Sequence, residues 1–356
     1  MSGASLSDEE AAAVIGEVLD GAATPAQIAA LLVALRMKGE SVEEMTGFVR
    51  AMLEHAVPLH VEGDVVDVVG TGGDRLASIN VSTIAACIAA GAGALVCKHG
   101  NRAASSSVGT ADVLEALGVA VDLGPQGVAR CVADVGMGFC FAPRYHPALR
   151  HAGPVRRELG VPTVFNFLGP LANPARARRQ LVGVSDPAMA TKLAEVLGTN
   201  GSLHAMVVYA DDGLDELSVT SPSTVVEVVA EKAARKGFAL RTWRLEPEEL
   251  GFARSSMGEL RGGDAAFNAA VVRRVLEGER SARRDICVLN AAAALVVAGR
   301  AQGLAQGVAM AEDALETGRA LAVLEALARV SSAEAAAERA GAHPQVADSG
   351  LPSAAT

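Results

Sequence analysis

Val65-Val66-Asp67-Val68-Val69-Gly70-Thr71-Gly72-Gly73-Asp74 is the stretch on which the fold turns. Branched Cβ atoms favour a pleated, extended backbone, so the valines predict a short strand, and the glycines that follow at once end it. An apolar helix is predicted from about residue 81 and a second strand over Ala94 to Lys98. Helical stretches near 126–135 and 147–160, with strands at Gly138–Ala142 and His204–Ala210, continue the alternation. Strands and helices taking turns imply βαβ units and a mainly parallel central sheet, an α/β fold. In such sheets ligands bind beyond the carboxyl ends of the strands, where the glycine turn falls.

Upstream, three segments open with capping-box patterns: Ser7…Glu10, Thr24…Gln27 with Pro25 at the first helical position, and Ser41…Glu44. Gly21 and Gly39 sit where the first two helices should stop. Residues 1–63 therefore read as a small α-helical domain, and 64–342 as the larger α/β domain. Residues 162–182, dense in Pro, Asn and Gly, read as a crossover between the lobes. After about residue 250 the pattern is Ala-rich helix, and 343–356 has no periodicity and reads as a frayed tail. No internal repeat is visible.

The composition bounds the function. Net charge is −10, which argues against a general nucleic-acid or anionic-membrane binder, because counterion release needs a basic surface. Half the residues are hydrophobic but only 3% aromatic, so Ala, Val and Leu must fill the interior. Five scattered cysteines (Cys87, Cys97, Cys131, Cys140, Cys287) with no C-x-x-C fit free thiols in a reducing cytoplasm. The longest uncharged run, Ala77 to Cys97, is broken by Ser78, Asn80, Ser82, Thr83, Gly91 and Gly93, and reads as a buried helix plus strand rather than a membrane span. The opening M-S-G-A-S-L-S-D-E-E shows no export signal.

Five stretches carry chemistry. Glycines at Gly70, Gly72 and Gly73 let backbone N–H groups approach a phosphate, and Asp74 suits such a cradle only if a cation or a ribose hydroxyl intervenes; a plain tight turn is the alternative. Asn80-Val81-Ser82-Thr83 opens the apolar helix, either as an anion site on the helix dipole or as an ordinary N-cap by Asn80. Lys98-His99-Gly100-Asn101-Arg102-Ala103-Ala104-Ser105-Ser106, continuing to Thr110, puts two cations and a hydroxyl run at a strand's carboxyl end, which suits a pyrophosphate better than a solvated loop. Arg144 to Glu158 is cationic within an acidic protein, and offers either an Arg that binds a carboxylate bidentately or an exposed helix with Arg–Glu pairs. Asp211-Asp212-Gly213-Leu214-Asp215-Glu216 gathers hard oxygen ligands without His or Cys, which points to Mg²⁺ or to an acidic surface turn. No Ser–His–Asp ordering, H-E-x-x-H, Walker A or redox cysteine pair is present.

Together the blocks D-V-V-G-T-G-G-D, N-V-S-T, K-H-G-N-R-A-A-S-S, R-Y-H-P, V-R-R-E-L-G-V-P-T-V-F-N-F-L-G-P-L-A-N-P and D-D-G-L-D-E closely resemble those of the anthranilate phosphoribosyltransferase family, and run in family order from residue 64 to 216. The resemblance implies the nucleoside phosphorylase/phosphoribosyltransferase type of fold, a homodimer, a hinge-cleft active site, and the phosphoribosyl transfer step of tryptophan biosynthesis. It implies that Gly70, Gly73, Asp74, Ser78, Asn80, Val81, Ser82, Thr83, Lys98, His99, Gly100, Asn101, Arg102, Ala103, Ala104, Ser105, Ser106 and Thr110 hold phosphoribosyl pyrophosphate. Gly70, Asn101 and Arg156 would lie along the anthranilate path, with Arg156 at its carboxylate. Ser82, Asp215 and Glu216 would bind Mg²⁺, two ions per subunit, and Lys98 and Arg102 would offset charge on the leaving pyrophosphate. Leu149 stands where some relatives carry an aromatic residue, and Val108 replaces a frequent serine. Two other readings are a nucleoside phosphorylase, whose glycine and lysine–serine blocks differ, and a non-catalytic nucleic-acid-binding relative, which the charge and the retained Asn101 and Arg156 count against.

Overall fold

The computed structural model describes residues 3–72, 76–103 and 108–341, so the predicted tail at 343–356 lies outside the described residues. The chain opens with α1 (Asp8–Leu19), α2 (Pro25–Lys38) and α3 (Val42–Glu54). All three capping boxes close: Glu10 N donates to Ser7 Oγ at 3.2 Å while Ser7 N donates to the Glu10 carboxylate at 2.9 Å, and the Thr24–Gln27 and Ser41–Glu44 pairs repeat the arrangement. Each box satisfies two N–H groups that the first helical turn leaves without partners. Gly47 lets α3 press against α1, since a Cβ there would lie 2.9 Å from Ala12 N.

β1 (Val66–Gly70), α4 (Val81–Gly91), β2 (Val96–Gly100), α5 (Thr110–Ala116), α6 (Pro125–Val135) and β3 (Met137–Phe141) follow. Three short helices, α7 (Ala142–Tyr145), α8 (Gly153–Leu159) and α9 (Phe165–Leu168), lead to β4 (Arg179–Gly183), α10 (Pro187–Thr199) and β5 (His204–Ala210). A hairpin of β6 (Ser223–Ala230) and β7 (Phe238–Leu245) precedes α11 (Ala265–Leu276), α12 (Ala282–Val297), α13 (Leu304–Glu316) and α14 (Arg319–Arg339).

The strands form one sheet in the order β3-β2-β1-β4-β5-β6-β7; the first five are mutually parallel, and β6 and β7 extend the sheet antiparallel. The sheet is mainly parallel, as the alternation predicted, but three of its strands were not read from the sequence. The end of the supposed crossover, 179–182, belongs to β4, which pairs with β1 from Val66↔Arg179 to Gly70↔Gly183. Its Leu181-Val182 core is short, and the preceding Arg178, Arg179 and Gln180 mask it.

Alternate side chains feed two cores on opposite faces of the sheet. Leu181, Met206 and Val208 join α4, α12 and α14 on one face. Val182, Ala205 and Val207 face α10, and this second core runs on into Ile15, Leu32 and Phe48 of the N-terminal helices. Ile84 and Ile88 are fully buried in α4, each contributing about 1.5–3 kcal/mol. The Ala77–Cys97 run is thus a buried helix with a strand, and among the described residues no helix is long and apolar enough to cross a membrane. All five cysteines are buried and free.

Candidate active site

The crossover from β1 through α4 leads to β2 on one side, whereas the chain re-enters at β4 on the other, so the topology switches at the β1–β4 pair. Beyond the carboxyl ends of these strands lies a cavity of about 250 Å³. Its walls come from four of the five stretches read from the sequence: Gly70 to Gly72, Ser78 to Ser82, Lys98 to Ala103 with Thr110, and Asp215 with Glu216. Gly73, Asp74, Ala104, Ser105 and Ser106 lie outside the described residues. Thr83 is not in the wall: it is fully buried in α4, and its Oγ1 has no hydrogen-bond partner among the described residues.

Asn80 starts α4 but does not cap it. Its Oδ1 accepts from Asn268 Nδ2 at 2.9 Å, and Asn268 Oδ1 in turn accepts from Gly263 N at 2.8 Å. Among the described residues no side chain caps α4, and its N-terminus opens on the cavity with its dipole directed there. Ala77, just before it, holds a left-handed φ of 51°, an uncommon conformation for a residue with a Cβ.

Lys98 runs beneath that terminus with only 1% of its surface exposed, donating to Ser82 Oγ at 3.1 Å and to the Val68 carbonyl. Burial lowers its pKa, opposed by the charges of Asp67 and Glu216. Asp67, fully buried in β1, accepts from His99 N at 3.1 Å and from Asn173 Nδ2 at 2.8 Å, and Asn173 also donates to the Cys97 carbonyl at 2.8 Å. Burial raises the Asp67 pKa to about 6 against the opposing pull of Lys98. This network fixes the end of β2; Asp67 and Asn173 both fall inside the quoted motif blocks, but the sequence assigned neither a role. His99 is buried 5.2 Å from the His146 ring, and burial, then His146, push its pKa down to about 3, so it is a neutral imidazole in the wall.

Arg102 differs from the expectation that it faces a pyrophosphate directly. It lines the cavity but its guanidinium pairs with Glu115 at 2.6 and 2.7 Å and with Asp112 at 2.9 Å, and these hydrogen bonds raise its pKa. Asp112 and Glu115 lie on α5, one turn apart, so the helix presents both acids to it.

Asp215 is gripped from two strands. Its Oδ2 accepts from Gly72 N at 2.7 Å, and it packs on Gly70 and Gly183, the paired last residues of β1 and β4. A Cβ on Gly183 would meet the Asp215 carbonyl, 2.6 Å from its carbon. Gly183 is outside the cavity wall but packs against Asp215, and sequence reading missed it; the signal was the Leu181-Val182-Gly183 run, a second strand ending in glycine. Asp215 and Glu216 are 6% and 8% exposed, two hard-oxygen groups that line the same cavity as Ser82. Among the described residues no three acids, histidines or cysteines gather into a closed cage. That donor set fits Mg²⁺, which takes one or two carboxylates and completes its shell with phosphate and water.

Arg156 stands behind the wall rather than in it. Its Nη2 reaches Asn166 Oδ1 at 3.5 Å, and Asn166 lines the cavity. The guanidinium stacks 5.2 Å from the Phe165 ring centroid and forms no ion pair with a carboxylate among the described residues, while burial lowers its pKa. At the start of its basic stretch, Arg144 pairs with Asp122 at 3.4 Å and Glu338 at 3.3 Å, and buried Tyr145 donates to the Leu123 carbonyl. Val108 is in the wall, whereas Leu149 packs against the core shared with the N-terminal helices.

A helical bundle joined to an α/β lobe, with a cavity of about 250 Å³ at the switch point, defines a glycosyltransferase class. Residues 62–321 match the a/b domain of a glycosyl transferase family and residues 1–56 its helical bundle domain. Anthranilate phosphoribosyltransferase of Chloroflexus aggregans is 52% identical over 93% of this chain and 96% of its own length. The crystal structure of anthranilate phosphoribosyltransferase from Thermus thermophilus matches with a TM-score of 0.86 and 42% identity, over 93% of this chain and 97% of that one. The Saccharomyces cerevisiae enzyme in complex with PRPP and Mg matches with a TM-score of 0.82 and 28% identity, over 92% and 94%. The chain belongs to the anthranilate phosphoribosyltransferase family.

Proposed function

We infer that the chain transfers the phosphoribosyl group of phosphoribosyl pyrophosphate to the amine of anthranilate, releasing pyrophosphate, as a step in tryptophan biosynthesis. The observation that supports this reading is the half-buried Arg156, a guanidinium without an acidic partner among the described residues, set one residue behind a cavity lined by glycines, the α4 N-terminus, Lys98 and two carboxylates. Arg156 takes the anthranilate carboxylate, and Asn101 and Gly70 line the path to it. Gly70, the segment from Ser78 through Asn80, Val81 and Ser82, and Lys98 to Ala103 with Thr110 hold the sugar donor through backbone amides and the α4 dipole.

Ser82, Asp215 and Glu216 would hold Mg²⁺, two ions per subunit, which when bound neutralises charge on the pyrophosphate. Lys98, already buried beneath the α4 N-terminus, holds positive charge where the leaving group gains negative charge. Arg102 contributes only after exchanging Asp112 and Glu115 for the phosphates. The anthranilate amine is neutral near pH 7, so the reaction needs no strong general base. Displacement at ribose C1 follows from holding the two substrates in line within one cavity.

The site works in a homodimer in the cytoplasm. Met37 is 83% exposed and Val33 37% exposed on α2, apolar surface that a second copy would cover, and five free buried thiols suit a reducing compartment. Light scattering at twice the 36.2 kDa chain mass supports the dimer, and a monomer mass refutes it. The test of the activity is the loss of anthranilate fluorescence on adding the sugar donor and Mg²⁺, abolished by EDTA; fluorescence unchanged in the presence of Mg²⁺ refutes it.

A further inference from the structure

Where α3, the segment before β4 and α10 meet lies a second cavity, of about 220 Å³, apart from the one described above. Val49 and Leu53 of α3, Leu171, and Val196 and Leu197 of α10 supply the apolar part of its lining. Asn173, Gln180, Asn200 and Ser202 share the wall with Arg176 and Arg178, both of which are exposed to solvent. Arg176 Nη2 donates to the Leu53 carbonyl at 3.3 Å and Arg178 Nε to the Gly201 carbonyl at 2.8 Å, and neither guanidinium forms an ion pair among the described residues. The contrast is with Arg284, in the wall of another cavity, which Glu312 and Asp285 hold at 3.2 and 3.7 Å.

The backbone adds an independent sign. Among the described residues only Ala77 and Arg176 combine a side chain with a left-handed φ. Ala77 lines the candidate active site, and Arg176, at φ 52°, lines this cavity. That conformation costs roughly 1–2 kcal/mol for a residue with a Cβ, and such strain concentrates where a side chain must be held for a ligand.

Two guanidiniums without an ion pair among the described residues, beside a cluster of aliphatic side chains, fit an anion with a hydrocarbon body. We propose that this cavity binds a small aliphatic monocarboxylic acid, its carboxylate on Arg176 and Arg178 and its chain against Leu53, Leu171 and Leu197. A zwitterionic amino acid of the same length brings an ammonium group against two guanidiniums and is rejected.

The test is a titration of the full chain with hexanoate, followed by methyl NMR and calorimetry. Saturable shifts in the Leu53, Leu171 and Leu197 methyls are expected, and they persist in Arg156→Ala, which separates this site from any carboxylate binding in the first cavity. Affinity falls at least tenfold in Arg176→Ala/Arg178→Ala and for norleucine in place of hexanoate. Should the double variant unfold, Val49→Phe fills the cavity while keeping both guanidiniums, and abolishes the shifts. Absence of saturable shifts, their survival in the arginine or Val49 variants, or equal binding of norleucine overturns the proposal.

Discussion

Gly183→Ala is the change that asks most of the site's geometry. Gly183 has an ordinary φ, so alanine suits its own backbone, and the penalty arises from its neighbour alone. The new Cβ falls on the Asp215 carbonyl, 2.6 Å from the carbon and closer to the oxygen, both backbone atoms that no rotamer change can clear. Restoring ordinary contact moves that peptide by roughly 1–2 Å, and overpacking of this kind costs about 1–3 kcal/mol. A catalytic group misplaced by about 1 Å can lose roughly 100-fold in rate. Steady-state rates measured against Mg²⁺ concentration should show kcat down by about 100-fold and a raised Mg²⁺ half-saturation, because Asp215 and Glu216 move together. Gly307→Ala is the control: its Cβ meets the Ala292 carbonyl at 2.7 Å between α13 and α12, so stability falls while the Mg²⁺ response stays. A folded Gly183→Ala protein with wild-type Mg²⁺ response refutes the claim that this glycine sets the metal site.

Arg156→Ala should raise the KM for anthranilate by about 10- to 100-fold, the worth of a charged hydrogen-bonded pair, with donor binding nearly unchanged; equal loss of both in steady-state kinetics removes the assignment. Asp215→Asn with Glu216→Gln should end Mg²⁺-dependent turnover, and an unaltered Mg²⁺ titration places the metal elsewhere. His99 makes a pH prediction. Its folded pKa of about 3 lies below the ordinary 6.5, so the unfolded chain binds the extra proton, and the stability present above pH 6.5 is lost as pH falls towards 3. At about 1.4 kcal/mol per pH unit, urea titrations should show wild type losing roughly 2 kcal/mol more than His99→Gln between pH 7 and 5, and parallel losses refute it.

What the sequence disclosed follows from how local each feature is. The three capping boxes and β5 at His204–Ala210 fall where the pattern placed them, because turn chemistry and alternation act within a few residues. The glycine turn, the helix start and the Lys98 stretch converge because each ends or begins an element beside the same switch point. β4 stayed hidden behind the polar Arg178-Arg179-Gln180, and with it Gly183 and the switch itself. Asn80 looked like a cap, but its partner Asn268 is 188 residues away, a distance no local rule spans. The same limit applies to Asn173 beneath Asp67 and to the acids that occupy Arg102, since α5 brings them round only after the chain has folded.

The central claim is that one cavity beyond β1 and β4 holds the diphosphate and the divalent ion together. A crystal grown with phosphoribosyl pyrophosphate and Mn²⁺ in place of Mg²⁺ tests it by anomalous scattering. The account predicts manganese peaks against the Asp215 and Glu216 carboxylates, with the diphosphate on the α4 N-terminus above Lys98. Manganese away from both carboxylates, or a diphosphate bound outside this cavity, contradicts it.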